Sequence, residues 1–287
     1  DWKLWLVLVV SLIILVAFVL WEKRAAEPII PFEVLNTPIT RLAVITSIML
    51  GVSQNTVAIF MGQYFQLGRG YTPTMSGLGM LPISIGALVA STVAGYLVSS
   101  SGKWKPSVVV GMALLTGGSI MLIFIGDHTP YWFVALGLAL IGFGQGAAMQ
   151  NLVLAVQNTV AYKDIGASTA AVTFARSMGG SIGLQALGAI FNRNLTRHMH
   201  EGAAALVKQG VDASSLEKLS HVKDLSVLKS DGPIGIMLQS AYANAIAIIF
   251  VATAVLALVG LVASLFMRST MLRDSIDLEP SDMDANA

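Results

Sequence analysis

Arg176 is the one charged side chain deep inside an apolar stretch of this sequence. A charge at membrane depth costs about 2.5–3.5 kcal/mol on insertion scales, so it must face the bundle interior or water. Helical spacing places Thr169, Thr173, Arg176, Gly180 and Gly183 on one face. Two roles fit that face. One is gating or lining a cavity; the other is structural hydrogen bonding, including a side chain that reaches back to the inner interface. A second polar group lies in the segment 41–66, which holds Gln54, Asn55, Gln63 and Gln66. Residues eleven apart align on a helix. Asn55 and Gln66 therefore share a stripe with Gly62 between them, and Gln54, Met61 and Phe65 form its neighbour. Gln145, Gln150, Gln185 and Asn244 are candidates on other segments. A polar and aromatic surface of this kind takes amphipathic small molecules through few strict contacts. Each residue taken singly also suits helix–helix hydrogen bonding.

Other chemistry is excluded by what the segments lack. None of them contains Asp or Glu; Asp127 and Asp164 fall in connections, and His128, His198, His200 and His221 lie outside the apolar runs. A membrane protease or metal hydrolase needs carboxylates or histidines clustered at depth. Cysteine is absent, which removes disulfides, thiolate zinc sites and iron–sulfur clusters. No metal or cofactor is expected. The net charge of +1 argues against a nucleic-acid partner, because phosphates need an excess of Lys and Arg. Gly142-Phe143-Gly144-Gln145-Gly146 has the look of a dinucleotide fingerprint but lacks the preceding strand that fingerprint requires. Inside an apolar run, small residues that let helices approach closely explain it better.

The elements that must hold these residues follow from composition. Of 287 residues, 55% are hydrophobic and 11% charged, with a mean hydropathy of +0.74. A soluble domain carries about 25% charged residues. The apolar residues arrive in blocks at 4–21, 41–66, 75–98, 106–126, 131–155, 166–191 and 238–267, each long enough for about 30 Å of hydrocarbon. No block shows the two-residue alternation of a membrane barrel. An all-α polytopic membrane protein with about seven transmembrane helices is expected, and its main partner is the lipid bilayer. Pro82 is expected to bend the third span.

Placing the loop after the first span in the cytoplasm puts Lys23, Arg24, Arg41, Lys103, Lys105, Lys163, Arg268 and Arg273 inside, and leaves only Lys3 and Arg69 in short outer segments. The first span starts within three residues of Asp1 and lacks a cleavage-like motif, so it reads as a true span at the back part of a longer protein. Residues 1–40 are then a linker helix and cytoplasmic loop, and 41–267 a bundle. Within 192–237, a helix from Thr196 to Gln209 and a second one opened by the Ser214/Glu217 capping box make an outer helical hairpin. Residues 268–287 form an acidic, disordered cytoplasmic tail.

The turn Gly95-Tyr96-Leu97-Val98-Ser99-Ser100-Ser101-Gly102-Lys103-Trp104-Lys105 resembles the loop signature of the major facilitator superfamily. Gly95, Leu97, Gly102, Lys103 and Lys105 fit; Ser99 and Ser100 stand where that signature has an acid and a base. Glu27-Pro28-Ile29-Ile30-Pro31-Phe32, Gln66 to Pro73, Ser76-Gly77-Leu78, Leu81-Pro82 and Arg176 to Gly183 follow in an order similar to the C-terminal part of fourteen-span drug:proton antiporters of the EmrB/QacA type. The resemblance covers nearly the whole chain. It implies the C-terminal six-helix bundle of a major facilitator fold plus one preceding linker helix, without the N-terminal bundle of the same polypeptide. It further implies a transporter, not an enzyme, that exchanges protons for drug-like small molecules across the plasma membrane, as in a bacterial inner membrane. Gly95, Gly102, Lys103, Lys105, Arg176, Gly180 and Gly183 are then gating candidates, and the proton-carrying acid belongs to the N-terminal bundle. A facilitator carrying a nutrient or metabolite is the alternative, and a seven-span receptor a more distant one.

Overall fold

Backbone amides in hydrocarbon have no water to bond, so the chain satisfies them within helices. The computed structural model describes residues 37–126, 129–208 and 232–269, with scattered positions between 6 and 21. The scattered positions that belong to the expected first span are helical. Among the described residues there is no strand. Seven α-helices follow in order: α1 (Pro38–Thr56), α2 (Pro73–Gly79), α3 (Leu81–Ser101), α4 (Lys105–Met121), α5 (Tyr131–Gln157), α6 (Ile165–Lys208) and α7 (Pro233–Phe266).

Proline stands in the first turn of five of these seven helices, where its missing amide costs nothing. Thr37 caps α1 by accepting from the Thr40 amide at 3.2 Å, and Thr72 caps α2 by accepting from the Met75 amide at 3.3 Å. The expected bend at Pro82 is a break between α2 and α3 at Met80. There the Met80 amide donates to Gly77 and the Ile83 amide to Met80. α1 continues through two π-helical turns, Val57–Met61 and Tyr64–Gly68. Gly70, at φ 66°, ends that rod, and the Tyr71 amide turns back to the Phe65 carbonyl at 2.9 Å.

The rods Pro38–Gly68, Pro73–Ser101, Lys105–Phe124, Tyr131–Gln157 and Met237–Phe266 are long and apolar enough to cross a membrane. The expected span at 166–191 is helical but falls outside that group, because Arg176, Gln185 and a run of Ser, Thr and Gly dilute its apolar residues. α6 is also far longer than a span. Its 44 residues reach about 66 Å, twice the hydrocarbon thickness. The helix expected to start separately at Thr196 is thus the unbroken end of α6. Phe191 and Leu195 carry the packing outward, and Gly202 meets Met237 of α7. The second arm of the expected hairpin, the 22–36 loop and the tail after Ser269 lie outside the described residues.

One core joins the rods, with Leu50, Tyr64, Met112, Ile141, Leu152 and Phe250 fully buried. Hydroxyls inside it bond back to their own helices: Thr56 to Val52, Thr116 to Met112, Ser119 to Leu115 and Thr253 to Ile249. α5 is the central rod for α3 and α4, which pack on it and scarcely on each other. Its glycines make this possible. A Cβ at Gly142 or Gly146 would collide with the backbone of Ile83 or Ala87 on α3, and one at Gly144 with Gly111 and Leu115 on α4. The 142–146 motif is a two-sided packing surface. On the other side of the molecule, α6 packs on α1 and α7.

Candidate functional site

The polar residues of α1 begin as a helical stripe and are then rotated by its π turns. Each π turn places an extra residue in the helix, so side chains beyond it change face. Gln54 is exposed, yet Met61 and Phe65 are buried in the core, so the expected stripe of these three residues does not form. Phe65 belongs to an aromatic cluster, stacked on Tyr71 (5.8 Å between ring centres, 8° between planes) and flanked by Tyr64 and Tyr131. Tyr64 donates to the Gly126 carbonyl at 2.7 Å. The other expected pair is split as well, for Asn55 is half-buried and Gln66 exposed.

Asn55 instead belongs to the contact between α1 and α6. The small residues Gly179, Gly180 and Gly183 lay α6 against Ile48, Gly51, Val52 and Asn55. A Cβ at Gly51 would collide with the Arg176 carbonyl, so the backbones meet where the charge sits. Arg176 is half-buried there, and among the described residues its guanidinium has no hydrogen-bond or ion-pair partner. Thr169, at the start of the same helix, accepts from Gln157 Nε2 at 2.8 Å. Among the described residues, the buried side-chain atoms Ser47 Oγ, Ser53 Oγ and Gln63 Oε1 on α1's rod, and Gln145 Nε2 on α5, also lack partners. Unbonded polar atoms in an apolar bundle cost about 1–3 kcal/mol each, so they concentrate unspent hydrogen-bonding capacity around α1.

Apart from Gln185, the face of α6 turned away from those glycines was not singled out from the sequence. Phe174, Ser177, Met178, Ser181, Ile182 and Gln185 recur at three- and four-residue steps and are all exposed. The signal was available as alternating Ser/Gln and large apolar residues at helical spacing. Asn244 is exposed on α7, one residue from Ala243, against which Gly68 packs.

The gating candidates of the loop signature are remote from this region. Gly102 has φ 66° and closes α3, donating its amide to Val98 at 2.8 Å. Only glycine adopts that left-handed conformation without strain. Gly95 sits inside α3 with open space where a Cβ would go. Ser99 and Ser100 bond back to Tyr96 and Leu97. Lys105 Nζ donates to the Leu265 carbonyl at 2.9 Å, tying the turn to the end of α7, while Lys103 is exposed. Among the described residues no cluster of His, Asp or Glu fits a metal ion.

Apolar rods of membrane-spanning length that share one core mark a multi-pass helical membrane protein. The family model for the Major Facilitator Superfamily matches residues 1–184, and the chain belongs to that superfamily. It is similar to an uncharacterised MFS-type transporter of Mycobacterium tuberculosis, 31% identical over 94% of this chain and 38% of the relative. It is also similar to the multidrug transporter protein MdtP of Bacillus subtilis, 28% identical over 67% of this chain and 35% of the relative. The tetracycline resistance determinant of Streptomyces rimosus is 27% identical over 58% of this chain and 48% of its own length. The chain thus spans half or less of the length of these relatives, two of which are named for multidrug transport or tetracycline resistance.

Proposed function

We propose that the chain is the C-terminal bundle, with one preceding linker helix, of a proton-coupled multidrug exporter in the plasma membrane, in a bacterium the inner membrane. Its cargo would be amphipathic or cationic small molecules. The exposed stripe of α6 carries this reading. Ser177, Ser181 and Gln185 at membrane depth are costly against lipid, and Phe174, Met178 and Ile182 between them are wasted against bulk water. A cavity for amphipathic cargo suits both kinds at once. Gln54 and Gln66 on α1 add exposed amide groups without charge. Relatives described as a multidrug transporter and a tetracycline resistance determinant support the same class of cargo. Among the described residues the five apolar rods carry no Asp or Glu, so on this reading the coupling acid would belong to the N-terminal bundle of the same polypeptide.

The test is drug resistance in a pump-deficient bacterial host expressing the protein from its native reading frame. Resistance to lipophilic cations should appear, collapse with an uncoupler, and fall with Gln185→Leu at equal membrane abundance. Resistance that survives both the uncoupler and Gln185→Leu would overturn the reading. Uptake of a nutrient without any resistance would replace it with the metabolite carrier.

A further inference from the structure

α3 and α4 both lean on α5 without closing on each other, and the gap between them is a groove of about 360 Å³. A slot of this size is of the order that one acyl chain fills. Ala90, Ala94 and Val98 form one wall, Val110 and Leu114 the other, and Phe143 and Ala147 the floor. The polar atoms near the floor are already spent: Ser107 donates to the Ala147 carbonyl at 3.1 Å, and Asn151 donates to Ser107 at 2.9 Å. The groove offers an occupant apolar contact and nothing else. α5 packs against α1 as well as against these two helices, and Val93, Leu97 and Val110 on the groove walls are exposed.

The mouth is different. Ser101, Lys103 and Pro106 line it, at the Gly102 turn. Lys103 is exposed, and among the described residues its ammonium has no partner, whereas Lys105 is committed to Leu265. A cation at the end of an apolar slot complements an anion at the end of an apolar chain. We propose that the groove between α3 and α4 holds an anionic phospholipid, one acyl chain lying along Ala90, Ala94 and Val98 and the headgroup phosphate meeting Lys103. The basic residues that place this turn in the cytoplasm put it in the leaflet where anionic lipids are abundant. The inference concerns the bilayer partner and stands whatever the cargo is.

Native mass spectrometry of the protein expressed from its own reading frame tests it. The probes are phosphatidylglycerol, phosphatidylcholine of equal chain length, and glycerol phosphate as the headgroup without chains. Wild type should retain phosphatidylglycerol over phosphatidylcholine. Lys103→Gln should weaken phosphatidylglycerol retention about fivefold, the worth of one lysine near an anionic surface, and leave phosphatidylcholine unchanged. Val110→Trp fills the slot from an exposed position, so folding is spared, and should lower retention of both lipids. Phosphatidylglycerol retention unchanged in either variant, as when another part of the protein covers the groove, would overturn the proposal. So would glycerol phosphate competing as well as the lipid, which marks a simple anion site.

Discussion

The two helix interfaces built on glycine differ in everything but their glycines. Where α5 meets α3 and α4, Gly142, Gly144 and Gly146 bring backbone against backbone, regular helices run on both sides, and the groove beside them is apolar. Where α6 meets α1, Gly179, Gly180 and Gly183 make an equally close approach, but α1 carries two π turns and unbonded buried Ser and Gln atoms, and Arg176 lies at the contact. The first interface is what a bilayer protein needs in order to fold. The second carries most of the costs that folding alone does not require; the exception is Gln145 Nε2, buried and unbonded on α5 between Gly144 and Gly146. π turns and unsatisfied polar groups persist where function offsets them, so the contrast assigns scaffold to one side of the molecule and work to the other.

The largest effect is expected in the π-helical turns that continue α1. Met61 is fully buried, and Met61→Ala should cost about 2–5 kcal/mol through the cavity it leaves. Gln54, seven residues earlier on the same rod, is exposed, and Gln54→Ala should leave thermal stability in detergent unchanged while altering the drug profile. Equal melting temperatures for the two variants would mean that the π turns do not divide α1 into a core part and a cavity part.

Next come the glycines. Gly142→Ala forces a methyl group onto the Ile83 backbone, which cannot step aside, and should cost about 1–3 kcal/mol. At Gly183 the nearest atoms are the two methyl groups of Val52, whose rotamer can change, so Gly183→Ala should be milder. Thermal unfolding followed by fluorescence-detected chromatography ranks the pair. A reversed order would make the α1–α6 contact the more rigid one.

Much of the scaffold side was legible in the sequence, and little of the working side. Blocks of apolar residues located the rods, and the 142–146 glycines read correctly as packing because size is a property of the residue itself. The π turns carry no such mark. Val57 to Gly68 has ordinary helix-compatible residues, and the extra residue per turn is set by what Phe60, Tyr64 and Phe65 pack against. An eleven-residue alignment therefore placed Gln54 with Met61 and Phe65 on a face they do not share. A break was likewise expected between the span ending at 191 and the helix starting at Thr196, yet Phe191 on Phe60 and Leu195 on the core keep α6 helical through it.

A smaller effect on stability, though a large one on function, is expected at Arg176. Arg176→Ala should insert at normal abundance, since removing a charge from membrane depth does not hinder insertion. Its guanidinium holds no partner among the described residues, so no bonded group is orphaned. Resistance normalised to membrane protein should nonetheless fall, and Arg176→Lys should fall too, because the planar five-donor fork is lost. Full resistance at normal abundance in Arg176→Ala would move this residue to the scaffold side. Loss of the variant from the membrane would do the same by another route.

The smallest effect is expected at the far end of α6, and it tests whether the α1 contact or the helix itself holds that rod. Arg197 donates to Glu201 at 2.8 Å, and His198 Nδ1 lies 3.6 Å from the same carboxylate, on a surface where Arg197 and Glu201 are mostly exposed. The hydrogen bond and charge of Arg197 hold the Glu201 carboxyl below its usual range. A lowered carboxylate pKa gives stability that is complete above the unfolded value and is lost as pH falls through the folded one. Whatever the pair contributes is therefore present in full at neutral pH and is lost in acid. Exposed pairs of this spacing contribute little even when intact. Glu201→Gln should match wild type in melting temperature at neutral pH, and the two should still coincide as pH drops through the carboxylate range, apart from the small convergence that losing the pair allows. A neutral-pH difference as large as that of Gly183→Ala would show that α6 is held through its outer extension as much as through its glycine contact with α1.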